Sequence, residues 1–371
     1  MRIGIDGIIL RGRDAGSLRY FEQLLGALGS INSPNDYIAF ANRSVQAALA
    51  FPSNKNFFFS SVDSSFLPAA LQQQGHRSWH SRGKLDLLHC PVFVPPLSFD
   101  GKTAMTVFDL TFVLYPETKK WSGRMWWRLL GRRGIQKANR IIAISASTRN
   151  DLIRWGIDGN KISVVYPCVS PRFKPSTNIA ETRARYRLPE KYILFVGTLE
   201  RRKNLPNLIR AFDQAIKRSG LKHILILVGQ RGWLYQDIFR TVEELGLSNQ
   251  VFFLNYVPDD DLPMLYSGAD LLILPSLYEG FGFPILEAMA CGTPVLASNV
   301  SSLPEIIGDA GVLVPPNDVE QIAGEMSRLL TERDLAREMA ERGLRRAQEF
   351  SRERFAQGVL RVYDDAVKSA Q

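Results

Sequence analysis

Cysteine is scarce in this chain of 371 residues: Cys90, Cys168 and Cys291 are odd in number, widely spaced and each set among apolar neighbours. Such spacing builds neither a disulfide framework nor a metal site, and the expectation is reduced, packed thiols in a cytoplasmic protein. No apolar run reaches the roughly eighteen residues of a membrane span. The opening MRIGIDGIIL enters a strand pattern directly, without the basic, apolar and small-residue succession of an export signal, so no exported or bilayer-crossing protein is expected. Short-period repeats and low-complexity tails are also missing. Acidic residues are fewer than basic ones, 37 against 46, for a formal net charge of +9. The excess is concentrated between Tyr115 and Arg154, where Lys119, Lys120, Arg124, Arg128, Arg132, Arg133, Lys137, Arg140, Arg149 and Arg154 face only Glu117 and Asp151. A patch of this kind suits nucleic acid, an anionic membrane or plain solvent. No nucleic-acid recognition motif accompanies it, so nucleic acid is not expected as a partner.

What is present is enough chain for two domains with separate cores, in the composition of a globular protein. Short apolar runs alternate with helical patterns, which argues for βαβ units and an α/β fold. The first set of strands is expected at 3–10, 37–41, 57–60, 85–89, 104–108, 141–145 and 162–166, with helices at 17–28, 123–137 and 147–155. The polar interval 61–83 has no clear assignment. Four prolines (Pro167, Pro171, Pro175, Pro189) interrupt the apolar rhythm, so an interdomain linker is expected at 171–190 between domains 1–170 and 191–350. The second set of strands is expected at 192–196, 224–228, 251–254, 271–274, 294–297 and 312–314. A terminal helix within 351–371 is expected to cross back to the first domain.

The densest chemistry lies in Leu274–Ser298, LPSLYEGFGFPILEAMACGTPVLAS. It reads as a strand, a loop with Gly280 and Gly282, a helix from Ile285 to about Cys291 with Pro284 in its first turn, and another strand. Glycines let the backbone approach a phosphate, and a helix start adds a partial positive charge. Glu279 in the loop and Glu287, placed in the first turn, would repel phosphate; they suit hydroxyl groups, one on a sugar and one on a ribose. Earlier, Gly197-Thr198-Leu199-Glu200-Arg201-Arg202-Lys203-Asn204 puts cations just after a strand, where a diphosphate binds in open α/β sheets. Asp259-Asp260-Asp261 is read as capping a helix rather than holding a metal.

The Glu279-to-Glu287 spacing in EGFGFPILEAMACGTPV, continued through SNVSSLPEIIGDAGVLVPP, resembles the donor-site signature of retaining glycosyltransferases of family 4, also called group 1. The resemblance implies a GT-B fold, two Rossmann-like domains facing each other across a cleft, with a nucleotide-sugar donor held mostly by the C-terminal domain. It also implies that Lys203 contacts the donor diphosphate. Members often carry Arg where this chain has Thr198, so Arg202 is taken as the second cation. The turn Asn255-Tyr256-Val257 occupies the position beside the nucleotide base. In the first domain, the loop from Arg11 to Tyr20 resembles the glycine loop that lines the cleft near the donor phosphates, with Gly16 retained and Leu18 replacing a second glycine. The segment Thr106-Val107-Phe108-Asp109-Leu110 resembles one in which the family has His at the position of Phe108.

The expected activity is transfer of a hexose, mannose mildly favoured, from a GDP- or UDP-sugar to a hydroxyl of a glycan or lipid-linked acceptor, with retention and without metal or other cofactor. Glu279, Asp109 and Lys203 are the expected catalytic residues. Gly16, Thr198, Arg202, Lys203, Glu279, Gly280, Phe281, Gly282, Phe283 and Glu287 are the expected donor-binding set. Asp109 has a second reading as the cap of the next turn, and His89 reads either as an acceptor contact or as a packed histidine. The tryptophans and arginines of 119–133 suit an anionic membrane surface, or else a core-facing Trp126 with solvated arginines. Two rival functions remain open: a catalytically silent sugar-nucleotide binder, suggested by Phe108 and Leu18, and another GT-B enzyme such as a nucleotide-sugar epimerase.

Overall fold

The computed structural model describes residues 1–10, 15–48, 52, 54–62, 84–92, 95–96, 99–116, 131–232 and 234–369. Residues 11–14, the interval 63–83 and the basic stretch 117–130, with its membrane reading, lie outside them. Two compact units result: Met1–Cys168 with Phe350–Gln371, and Val169–Glu349.

The first unit runs β1 (Arg2–Asp6), α1 (Ala15–Ser30), β2 (Asp36–Ala41), α2 (Arg43–Ala48), β3 (Phe57–Ser61), β4 (Leu87–Cys90), β5 (Lys102–Val107), α3 (Thr111–Leu114), α4 (Arg132–Lys137), β6 (Arg140–Ala143), α5 (Ala146–Arg154) and β7 (Ile162–Val164). Its strands form one parallel sheet in the order β3-β2-β1-β4-β5-β6-β7. The central strands are buried along nearly their whole length, as parallel strands covered on both faces must be, so they read as continuous apolar runs. β1 stops at Asp6, short of the expected Leu10, because the Asp6 carboxylate takes the Ile8 N–H at 3.0 Å and Leu10 folds back onto the Gly7 carbonyl.

The second unit runs α6 (Ala180–Tyr186), β8 (Tyr192–Val196), α7 (Leu205–Ser219), β9 (Ile224–Val228), α8 (Gln236–Glu244), β10 (Val251–Leu254), α9 (Leu262–Ser267), β11 (Leu271–Leu274), α10 (Phe283–Ala290), β12 (Val295–Ser298), α11 (Leu303–Ile307), β13 (Val312–Val314), α12 (Val319–Thr331) and α13 (Arg333–Gln348). Its parallel sheet has the order β10-β9-β8-β11-β12-β13. The order reverses between β8 and β11, which are hydrogen-bonded neighbours. In α7, Leu205, Leu208, Ile209 and Phe212 recur at helical spacing and are buried, and Gly220 ends the helix in the left-handed conformation.

The expected linker at 171–190 belongs to the second unit. It contains α6, it buries Phe173 and Leu188, and Arg185 and Tyr186 both bond the Asp261 carboxylate, at 2.9 and 2.5 Å. Asp261 was expected to cap a helix; it precedes α9 but makes no side-chain cap bond, because these two partners hold its carboxylate. The last helix, α14 (Arg352–Lys368), is part of the first unit, burying Phe355, Val359, Val362 and Tyr363. The Tyr363 hydroxyl lies 2.7 Å from His89 Nδ1, and His89 Nε2 lies 2.9 Å from the Thr106 hydroxyl. Burial pushes the imidazole down to about 3. His89 is therefore the packed, satisfied histidine of the two readings. Among the described residues, no helix is long and apolar enough to cross a membrane.

Candidate functional site

At the switch between β8 and β11, the loops leaving the two strands meet at their carboxyl ends, the place where open α/β sheets bind ligands. Gly197 ends β8 at φ +154 and Gly229 ends β9 at φ +151. A Cβ on Gly229 would collide with the Gly197 carbonyl, so only glycine permits this close backbone approach. Leu199 then bonds across to Gln230, and a 3-10 turn (Arg201–Lys203) leads to Asn204 in the left-handed region at φ +58. The Asn204 amide donates to the carbonyls of Pro275 at 3.1 Å and Pro316 at 2.6 Å, and the Leu277 N–H donates to the Arg202 carbonyl at 2.8 Å. These bonds zip the two loops together.

Glu279 is the centre of the result. Its Oε1 accepts from Lys203 Nζ at 2.5 Å and from the Ser276 hydroxyl at 2.6 Å, while Oε2 accepts from Arg202 Nη1 at 3.0 Å. Its backbone is fixed too: the N–H donates to Ser301 Oγ and the carbonyl accepts from Ser302 Oγ, both at 2.9 Å. Burial by itself would raise the Glu279 carboxyl; Lys203 and Arg202 outweigh it, helped by the Lys203 and Ser276 hydrogen bonds, and hold it down to about 2. For Lys203, burial is the larger influence and pulls the ammonium below its ordinary range, with Glu279 opposing. Arg202 also donates to the Tyr278 carbonyl and, through Nε and Nη2, to Glu200 Oε1 at 3.1 and 2.7 Å.

Beyond Glu279 the chain turns through Gly280 and Phe281 to Gly282, which precedes α10 at φ +100. A Cβ there would meet Leu303 Cδ2 at 2.7 Å. This left-handed residue breaks the chain into the helix at Phe283, two residues earlier than Ile285, with Pro284 in the first turn. Glu287 consequently lies in the second turn, not the first. It is 2% exposed, and its Oε2 accepts from the Tyr266 hydroxyl at 2.8 Å.

Lys203, Arg202, Glu279 and the loop Gly280 to Phe283 are thus brought together in the second unit, and Thr198 is exposed on the β8 loop. Gly16 and Asp109 belong to the first unit. Gly16 is exposed in the first turn of α1, with nothing within 4 Å of an added Cβ. Asp109 Oδ1 accepts from the Thr111 N–H at 2.8 Å, the geometry of a turn cap. Phe108 packs edge-on against Tyr20 with ring centroids 4.9 Å apart. Sequence reasoning assigned no role to Ser276, Asn204, Glu200, Ser301 or Ser302. Serines carry little signal in a loop; Asn204 and Glu200, flanking the cations, offered the only hint. No group of three or more His, Cys, Asp or Glu able to hold a metal occurs among the described residues.

A profile described as "Glycosyl transferases group 1" matches residues 178–346, and one described as "Glycosyltransferase Family 4" matches residues 42–173. The chain is 33% identical over 293 residues to the O-antigen chain mannosyltransferase B of Escherichia coli, covering 77% of this chain and 76% of that protein. This chain belongs to the group 1, family 4 glycosyltransferases. The glycosyltransferase is also 32% identical over 244 residues to the serotype-specific mannosyltransferase WbdA of Escherichia coli, covering 64% of this chain but 30% of WbdA. Anabaena Alr3699/HepE, solved in complex with UDP-glucose, superposes on the glycosyltransferase with a TM-score of 0.76 and 19% identity, covering 97% of this chain and 98% of that one. The fold of the glycosyltransferase is GT-B, with two Rossmann-like units.

Proposed function

We propose that this glycosyltransferase moves a hexose, with mannose preferred, from a nucleoside-diphosphate sugar to a hydroxyl of a glycan or lipid-linked acceptor, with retention of configuration and without a metal. The observation that carries the reading is the buried Lys203–Glu279–Arg202 cluster at the β8/β11 switch point. Mannose preference rests on the mannosyltransferase relatives, and a nucleotide-sugar donor on the UDP-glucose complex of the structural neighbour.

In this mechanism Lys203 and Arg202 carry the charge that develops on the departing diphosphate, which lowers the barrier to cleaving the sugar–oxygen bond. The start of α10 adds its partial positive charge. Glu279 accepts hydroxyls of the sugar. Glu287 accepts the ribose hydroxyls; a carboxylate has about four acceptor positions, so the Tyr266 bond is compatible with that role. The acceptor hydroxyl attacks from the face the diphosphate leaves, and a diphosphate oxygen takes its proton. Thr198 is the proposed donor contact on the β8 loop; in the first unit, Asp109 is the proposed hydrogen-bond acceptor and Gly16 the proposed donor-binding glycine. The cytoplasmic placement fits three cysteines that are all buried and unbridged. Docking on an anionic membrane through 119–133 completes the reading, and co-sedimentation with phosphatidylglycerol vesicles measures it.

The decisive experiment is Glu279→Ala and Lys203→Ala, assayed with GDP-mannose and UDP-glucose against hydroxyl acceptors. Transfer should fall by at least about a hundredfold in each variant. Full activity in both rejects the assignment.

A further inference from the structure

Four ionised groups close on one another at the switch point. Arg202 reaches Glu200 with Nη2 at 2.7 Å and Glu279 with Nη1 at 3.0 Å, and Lys203 reaches Glu279 at 2.5 Å. Two cations and two carboxylates cancel, and their side chains are only 8–18% exposed, so little solvent screens them. A nucleoside diphosphate therefore meets no net positive charge in this quartet. On the donor reading it gains attraction at Lys203 by replacing the Glu279 carboxylate, which is then left to the sugar hydroxyls, and at Arg202 only so far as Glu200 leaves the guanidinium charge uncancelled. Glu200 is the member whose charge is not needed for either partner of that exchange. Its carboxylate bonds Arg202 through two nitrogens, which fixes the direction of the guanidinium and removes one unit of positive charge from the anion's surroundings.

We propose that Glu200 is a positioning residue that sets donor affinity: it neutralises and aims Arg202, so that the diphosphate is held by exchange at Lys203 and is released again after transfer. The inference rests on the donor reading above, and it places a restraint on affinity in a residue that touches neither sugar nor phosphate.

The test is titration calorimetry of GDP and UDP into the whole protein and into Glu200→Gln, which keeps an acceptor for Arg202 but not the charge. One uncancelled unit charge this close should tighten both diphosphates by about tenfold. Binding should also become more sensitive to salt, and turnover with the matching nucleotide sugar should show a lower KM together with a lower kcat as product leaves more slowly. Glu200→Asp, which keeps the charge, should stay within about threefold of the parent. Glu200→Ser provides a second charge-removing variant with the same expectation as Glu200→Gln. Unchanged or weaker diphosphate binding in the folded charge-removing variants, while the parent binds normally, overturns the role of Glu200 alone. A parent that binds neither diphosphate overturns the donor reading, and this inference with it.

Discussion

Ser276 Oγ lies 2.6 Å from Glu279 Oε1, the same oxygen that receives the Lys203 ammonium. One carboxylate oxygen thus takes a neutral and a charged donor together, and the serine is fully buried beneath it. Ser276→Ala removes the neutral donor without touching either cation. Loss of one buried hydrogen bond to a charged acceptor costs about 1.5–3 kcal/mol, and transfer should drop by roughly tenfold as the carboxylate gains freedom. Chemical denaturation and kcat/KM measure the two effects separately.

The Glu279 carboxyl sits at about 2 when folded, below its ordinary value near 4.5. A depressed carboxylate contributes stability above its unfolded value and loses it as pH falls toward the folded one. The protein should therefore lose stability between about pH 4.5 and 2 through this group. Glu279→Gln should flatten that part of the profile, while lowering stability at neutral pH by about 3 kcal/mol because Lys203 keeps a buried charge without its partner. Urea midpoints across the acid range test both statements.

His89 gives a second, separate window. Its folded value of about 3 lies below the ordinary 6.5, so the unfolded chain takes up a proton that the folded one refuses. Stability should fall as pH drops below about 6.5, before Glu279 begins to contribute. His89→Gln, which retains hydrogen-bonding capacity toward Tyr363 and Thr106, should remove the slope between pH 6.5 and 4.5. Thermal melts at half-unit pH steps suffice to see it.

Two glycines should respond in opposite directions. Gly229→Ala drives a methyl into the Gly197 carbonyl at φ +151, and about 3 kcal/mol or more should be lost, with the β8 loop displaced. Gly324 lies exposed inside α12 with nothing within 4 Å of an added Cβ, so Gly324→Ala should stabilise by about 0.5–1 kcal/mol. Denaturation midpoints of the two variants on either side of the parent check the pair.

Strands β8, β9 and β11 fall where their apolar runs end, because a strand buried on both faces leaves an unbroken local signal; the edge strands β10 and β13 also lie on their apolar runs although they are only partly buried. The stretch 171–190 did not, since α6 is short, mostly polar on its surface and held by Asp261, some 75 residues away in the chain. Its prolines read as a linker although the segment packs. The start of α10 was displaced for a similar reason: Gly282 enters the helix from the left-handed region, and Leu303, 21 positions on, leaves no room there for a Cβ.

The sequence by itself determined the α/β class, the family motifs and the residue types of the site, because these depend on local periodicity and on short spacings. Only the tertiary structure decided that Lys203 and Glu279, 76 positions apart, form an ion pair, that Ser276, Asn204 and Glu200 hold it, and that His89 is packed against the last helix. Such contacts arise where β8 and β11 become neighbours and the chain returns to its first unit; an ion pair or hydrogen bond between distant residues leaves no period in the sequence to read.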